Sequence, residues 1–310
     1  MILSVSRRTD IPCCYGEWFL HRLREGYVLV RNPMNHAQVS RVPLSPALVD
    51  GIVFWTKDAQ NFLSYLQEID KMGYWYYFQF TLTPYGHDFE PGLRPKAEIL
   101  QTFLDLSDRI GKERVLWRYD PIILNDEWTA ERHVEAFARL CDLMSPYTQR
   151  VTISFVDQYK KIRSAHIRPL TEEKILLLGE HFGRIAAEHR LPIVTCCEEA
   201  DLSAFGIGHG SCIDAALLER LCGCPLDIAP DKNQRGGCGC VKSIDIGTYN
   251  TCPNGCLYCY ANRSAASAVA NYKQHDPKSP LLCDRLAEGE TPRERNVKTH
   301  KRLQQTLPFL

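Results

Sequence analysis

Three cysteines, Cys252, Cys256 and Cys259, stand at Cys-x3-Cys-x2-Cys spacing in the run TCPNGCLYCY that begins at Thr251. Three thiolates hold three irons of a four-iron, four-sulfur cluster, which takes four ligands when every iron is capped. The fourth iron is then open, and an open coordination position is where a metal does chemistry instead of bracing a fold. A zinc knuckle is the competing reading of the same residues. Zinc asks for four closed ligands, commonly from paired Cys-x2-Cys units. The loop offers no obvious fourth donor of its own, and His275 comes only after a further helical segment. The spacing favours iron–sulfur chemistry.

A second group comprises the pair Cys196-Cys197, Cys212, and Cys238-Gly239-Cys240. Four thiolates from three segments make a closed site, either an auxiliary iron–sulfur cluster or a structural zinc. Cys196, Cys212, Cys238 and Cys240 are the expected ligands. Gly236 and Gly237 free the backbone to wrap a metal, and Cys197 faces away if its strand persists. Cys13, Cys14, Cys141, Cys222, Cys224 and Cys283 read as inert core thiols, since cysteine is often simply buried. The run Gly206-Ile207-Gly208-His209-Gly210 reads as a flexible loop beside the second group. It lacks the strand-turn-helix context and the downstream acid of a nucleotide loop.

The elements that position these residues alternate between short apolar runs and amphipathic segments, the rhythm of a parallel βα sheet. Strands are expected near Ile2–Ser6, Gly51–Thr56, Trp75–Thr83, Arg114–Tyr119, Arg150–Phe155, Pro192–Cys196 and Ser243–Gly247. Thr171 reads as a helix N-cap, with Ile175, Leu178, Phe182 and Ile185 as one apolar stripe behind it. Residues 27–42 read as an inserted hairpin turning at Asn32-Pro33. The expected architecture is α/β: a TIM-like parallel barrel or part-barrel over residues 1–275, holding the cysteine loops of 238–262, then a helical extension over 276–310. Working residues of such folds lie at the C-terminal strand ends. Here those ends carry Arg7, Arg8 and Asp10, Thr56 and Lys57, Thr83 and Tyr85, Arg118 and Asp120, Asp157, and Glu198 with Glu199. Arg118 and Asp120 share one strand face and can neutralise each other. Two guanidinium groups at Arg7 and Arg8 suit a carboxylate or phosphate.

The cysteine loop, with the aromatic Tyr258 just before its third cysteine, resembles the radical S-adenosylmethionine signature. Asp245–Tyr249 as strand and Ser264–Tyr272 as helix repeat the setting in which those enzymes hold their cluster. They usually carry this unit first in the barrel, so its late position implies a permuted order in which the cluster-bearing strand comes last. The stretches SRRTDIP from Ser6, VFWTKD from Val53, FQFTLTPYG from Phe78, WRYDPI from Trp117 and DIGTYNTCPNGCLYCYAN from Asp245 resemble the bacterial family named domain of unknown function 1848. The cysteine loop and the Arg118–Asp120 strand are also similar to those of spore photoproduct lyase, which repairs DNA. The radical S-adenosylmethionine resemblance implies that Cys252, Cys256 and Cys259 bind the cluster. Its open iron then takes the amino and carboxylate groups of S-adenosylmethionine, and reductive cleavage starts hydrogen abstraction from a substrate. Arg8, Asp10, Lys57, Arg118 and Asp120 are the candidate catalytic or anchoring residues, with Arg118 and Asp120 also on the cofactor. A flavodoxin or ferredoxin would supply the electron.

Composition narrows the alternatives. Hydrophobic content of 45% with 24% charged residues is that of an ordinary soluble globular protein. The charges balance at a net of +0, so no global field draws nucleic acid or an anionic membrane. No apolar run is long enough to span a membrane, the start MILSVSRRTDIP shows no leader pattern, and a cytoplasmic location is expected. With so many cysteines in a reducing compartment, metal binding outranks disulfides. From Thr291 to Arg302, Arg293, Arg295, Lys298, Lys301 and Arg302 face only one acid, Glu294, which suits a solvated helix face or a phosphate contact. Gln305–Phe309 loosely resembles the peptide by which DNA-processing proteins dock on the sliding clamp. Two rivals follow: a non-catalytic iron–sulfur or zinc protein, and a nucleic-acid-processing enzyme built on the same cluster.

Overall fold

The computed structural model describes residues 1–157 and 167–302. In chain order these form β1 (Ile2–Val5), α1 (Ile11–Cys14), α2 (Gly16–Glu25), β2 (Tyr27–Asn32), β3 (Asn35–Pro43), β4 (Gly51–Thr56), α3 (Leu66–Lys71), β5 (Tyr76–Thr81) and α4 (Lys96–Ile110). There follow β6 (Val115–Ile122), α5 (Ala130–Met144), β7 (Val151–Phe155), α6 (Glu172–Glu188), β8 (Ile193–Thr195), β9 (Gly208–His209), α7 (Ala215–Cys222), β10 (Ile244–Asp245), α8 (Ala265–Lys273) and β11 (Arg293–Glu294). Eight strands make one parallel sheet in the order β10-β1-β4-β5-β6-β7-β8-β9.

The expected strands fall where the apolar runs placed them, with ends shifted by a few residues. Strand β10, which leads into the Cys252 loop, is the last in sequence of this sheet and pairs with β1, the first, in the register Leu3↔Ile244. A closed barrel does not form among the described residues: β9 and β10 are the two edges. The strands that would have to meet, β9 and β10, have 2 residues each. That is too little ladder to carry the stagger closure requires. Residues between Cys212 and Val241 instead pack on one face of the open sheet, against Ile2, Val53, Tyr77 and Leu116.

Period-two alternation divides the sheet faces. Leu3, Val5, Ile52, Phe54, Tyr76, Phe78, Phe80, Trp117, Tyr119 and Ile153 point to the helix-covered side and join the main core. Helix α6 starts at Thr171, whose side chain accepts from Lys174 N. It buries Leu178, Phe182 and Ile185 there, and Phe182 stacks on Phe137 of α5 at 4.1 Å between ring centroids. On the other face Ile2, Val53, Tyr77 and Leu116 form a thinner apolar layer with Leu217 and Leu218 of α7 and with Cys212 and Cys240. Continuing along those strands toward their C-terminal ends, the same face carries Ser4, Trp55, Gln79, Arg118, Asp120 and Ser154.

The hairpin β2–β3 pairs antiparallel and turns at Pro33-Met34. It gains a third strand because β11 runs parallel to β3. The expected helical extension is therefore corrected: residues 276–302 contain no helix, only turns, irregular backbone and the short strand β11. Pro277, Pro280 and Pro292 interrupt the segment, each removing an amide donor and disfavouring helix before it. Arg31 holds this strap to the hairpin through Asp284 and Glu290. The Gly206–Gly210 segment, read as a loop, supplies the edge strand β9. Gln305–Phe309 lies outside the described residues.

Candidate functional site at the C-terminal strand ends

Asp245 closes β10 and fixes the start of the cysteine loop. Its carboxylate accepts from Ser4 Oγ at 2.9 Å, Arg7 N at 2.9 Å and Gly247 N at 3.0 Å, and also from Ser6 Oγ. The loop then docks on the turn after β5 by backbone pairing: Gly92 N donates to Asn254 O at 2.9 Å and Leu257 N to Phe89 O at 2.9 Å. Only glycine permits that approach, since a Cβ at position 92 would lie 2.7 Å from Asn254 O. Tyr258 enters a buried aromatic cluster with Tyr85, Phe89 and Trp128, and its hydroxyl donates to Glu90. Ser264 caps α8 and ends the unit.

The three loop thiols lie near enough to affect one another's ionisation. Burial pushes the Cys256 thiol well above its ordinary pKa, and Cys252 and Cys259 add to the rise while Lys57 opposes it. Cys259 is likewise raised by burial and by Cys252, against backbone donors at Ala261 and Asn262. Cys252 is lowered, first by a thiol hydrogen bond from Cys14 and then by the backbone amides of Asn254 and Asp10. Soft sulfur donors with amide N–H groups directed at them suit a thiolate-bound iron–sulfur cluster. Among the described residues, no three or more His, Cys, Asp or Glu side chains already stand in metal-ligating geometry. The loop is a fitting donor set and not a preformed cage.

A buried charge network lies under the loop. Lys57 Nζ donates to Glu90 Oε1 at 2.9 Å, and Glu90 also takes Thr83 Oγ1 at 3.0 Å and Lys96 Nζ. Burial disfavours the Lys57 ammonium, but Glu90, Cys256 and Asp120 hold its pKa above the ordinary lysine value. Burial would also raise Glu90, yet Lys57 and Lys96 bring it down to about 2. Beside this network Arg118 directs Nε to Asp120 at 3.0 Å, and one terminal nitrogen to Cys212 Sγ at 2.7 Å. Trp55 lies 5.3 Å from its guanidinium carbon. Ser154 donates to Asp120.

Of the residues named from the sequence, Lys57 lies at the loop beside Cys256 and Tyr258 and has Asp120 near it, whereas Arg118 turns from Asp120 toward Cys212. Asp10 caps α1, accepting from Cys13 N at 3.0 Å and Lys57 N at 2.8 Å, and burial lifts its carboxyl to about 7. Arg8 lies over Tyr249 at 5.3 Å and donates to Gly247 O, so it braces the β10 end. Cys196 and Cys212 bring their sulfurs within 3.1 Å, and Cys212 shares a thiol hydrogen bond with Cys240. Cys197, at a φ of +58°, pairs its thiol with Cys238. Glu90 and Lys96 carry no signal in the sequence. Cys14, expected as an inert core thiol, is instead hydrogen-bonded to Cys252 at the loop.

A family profile described as domain of unknown function (DUF1848) matches residues 2–261. No curated protein matches the chain. One solved structure, described as "putative alpha-L-fucosidase" from Bacteroides thetaiotaomicron, aligns over 74% of this chain and 85% of its own at 10% identity, with a TM-score of 0.27. A likeness of that degree carries no weight for fold or chemistry.

Proposed function

The chain belongs to the family of domain of unknown function DUF1848, and from that premise we propose that it is a radical S-adenosylmethionine enzyme with Cys252, Cys256 and Cys259 as the cluster ligands. The observation that carries this reading is the placement of those thiols: one loop, at the C-terminal ends of a parallel sheet, with Cys256 facing Lys57. Those three thiols would hold the cluster, which would supply the electron for reductive cleavage of S-adenosylmethionine. The chain's own residues hold the loop and shape the pocket. Gly92 and Phe89 pin the backbone, and Tyr258 and Glu90 lock the segment between Cys256 and Cys259. Lys57, held by Glu90, and Asp120, held by Arg118, put one positive and one negative group near the loop, where the carboxylate and amino groups of an amino acid would find complementary charge. The buried aromatic wall of Tyr85, Phe89 and Trp128 keeps water from the loop's inner side.

The test is anaerobic reconstitution, iron and sulfide counting, and assay for 5′-deoxyadenosine with dithionite in place of a flavodoxin or ferredoxin. Release by the wild type and none by Cys256→Ala is the expected outcome. Full iron binding with no cleavage of S-adenosylmethionine would leave only a structural iron–sulfur role.

A further inference from the structure

We infer that Cys196, Cys212, Cys238 and Cys240 form a second, separate site that takes one tetrahedral divalent ion of the zinc type. Three chain segments converge there: the end of β8, the loop leading into α7, and the glycine-rich loop before β10. Cys196 Sγ and Cys212 Sγ lie 3.1 Å apart. Cys240 reaches the same cluster, and its sulfur accepts from Ile213 N at 3.3 Å. Cys238 is near enough for its charge to bear on Cys240.

Hydrogen-bond donors from the surroundings reach two of these sulfurs, Cys212 and Cys240. The Arg118 guanidinium, itself 4% exposed, directs a donor to Cys212 Sγ at 2.7 Å. Asp120 already neutralises this guanidinium, and its remaining terminal nitrogen is left to donate to the Cys212 sulfur, as an outer hydrogen bond to a metal-bound thiolate would. The backbone of Cys212 is clamped from β5, with Tyr77 Oη at 2.7 Å and Gln79 Nε2 at 2.8 Å from its carbonyl oxygen. Between the two late cysteines sits Gly239, where a Cβ would fall 2.4 Å from Ser211 Oγ. The absence of that atom lets the 238–240 loop press against the segment bearing Cys212.

The four thiols do not already stand in metal-ligating geometry, and the Cys196–Cys212 spacing favours a small ion over a cluster. Zinc–sulfur bonds of about 2.3 Å in tetrahedral geometry place ligand sulfurs roughly 3.8 Å apart. Cys196 and Cys212 are already closer than that, so a single ion fits with a small opening, while a four-iron cluster would have to drive its thiolates much further apart. Cys238 completes the tetrahedron by turning from Cys197 toward Cys240. This site is independent of the cofactor reading for the Cys252 loop.

The test uses the full chain carrying Cys252→Ala, Cys256→Ala and Cys259→Ala together, purified from zinc-supplemented cells. The expected result is one zinc per chain that survives dialysis, with cobalt substitution giving the visible bands of a tetrahedral thiolate centre. Adding Cys212→Ala removes the ion, while adding Cys141→Ala does not. Should Cys212→Ala fail to fold, alkylation mapping of the triple variant decides the matter. Zinc then protects Cys196, Cys212, Cys238 and Cys240, and a chelator exposes them together. The inference is overturned by a folded triple variant without bound metal, by iron and inorganic sulfide at this group, or by a Cys196–Cys212 disulfide in anaerobically purified protein. Loss of 5′-deoxyadenosine release in the parent enzyme bears on the other site alone.

Discussion

Lys57 Nζ sits 2.9 Å from Glu90 Oε1 beneath the cysteine loop, and the same carboxylate also holds Lys96 and the Tyr258 hydroxyl. Glu90 is 1% exposed, so removing its charge leaves two ammonium groups in the interior without their counterion. Breaking a buried pair from one side costs about 3 kcal/mol or more. Glu90→Gln is expected to lower the urea midpoint accordingly and to loosen the loop, read as faster alkylation of Cys256. The acid dependence gives a second check. A carboxyl held at about 2 against an ordinary 4.5 contributes stability that is complete above pH 4.5 and is lost as pH falls toward 2. The variant loses that dependence.

Arg118 bridges Asp120 and the second cysteine group, with Asp120 on one side and Cys212 on the other. Arg118→Met strands the Asp120 carboxylate, at an expected cost of about 3 kcal/mol. Adding Asp120→Asn removes the stranded charge, so the double variant should be more stable than Arg118→Met alone. Chemical denaturation of the four proteins in the cycle measures the coupling. Additive losses would show that the pair is not a unit. Arg118→Lys should not restore the wild type, because a lysine cannot reach both partners with a planar fork.

His133 reports on the helix-covered face. Its Nδ1 is 2.7 Å from Tyr119 Oη and its Nε2 is 2.8 Å from Ile123 O, the pattern of a neutral ring that accepts from the phenol and donates to the carbonyl. Burial lowers its pKa from 6.5 to about 4. The unfolded chain therefore binds the proton first, and stability falls as pH drops from 6.5 to 4, by on the order of 3 kcal/mol. His133→Gln is expected to flatten that part of the stability–pH curve. An unchanged slope would place the acid sensitivity elsewhere.

Phe182 shows what the sequence makes legible. Its stripe with Leu178 and Ile185 behind the Thr171 cap is periodic and local, and α6 forms as the pattern predicts. Phe182→Ala empties the stack on Phe137 and is expected to cost about 3–5 kcal/mol, measured by thermal or urea unfolding. The shared face of Arg118 and Asp120 was equally readable, because a strand places every second residue on one face, and the two do pair. Closure of the barrel was not: it depends on how many ladder bonds β9 and β10 make, and no periodicity records that. Nor was Glu90, since its importance comes from Lys57 and Tyr258, which reach it only through the fold. The strap of 276–302 was misread as helix because its basic residues were weighed above Pro277, Pro280 and Pro292.

Cys14 tests whether the late loop leaves a coordination position open. Its thiol is hydrogen-bonded to Cys252, and Cys13 Sγ lies 3.8 Å from Asn254 Oδ1, so α1 brings two sulfurs to the rim of the loop. If Cys14 were the fourth ligand, the centre would be closed and S-adenosylmethionine would find no iron to bind. If it only donates to the Cys252 thiolate, it tunes one ligand and leaves the position free. The second arrangement is expected, because the contact runs through the Cys252 sulfur and not toward Cys256 and Cys259. Cys14→Ala should then bind as much iron and sulfide as the wild type. The reduced protein should also keep the change in its paramagnetic resonance spectrum on adding S-adenosylmethionine, whereas Cys252→Ala should lose both. A spectral change that appears only after Cys14→Ala would make Cys14 the capping ligand and the centre a structural one.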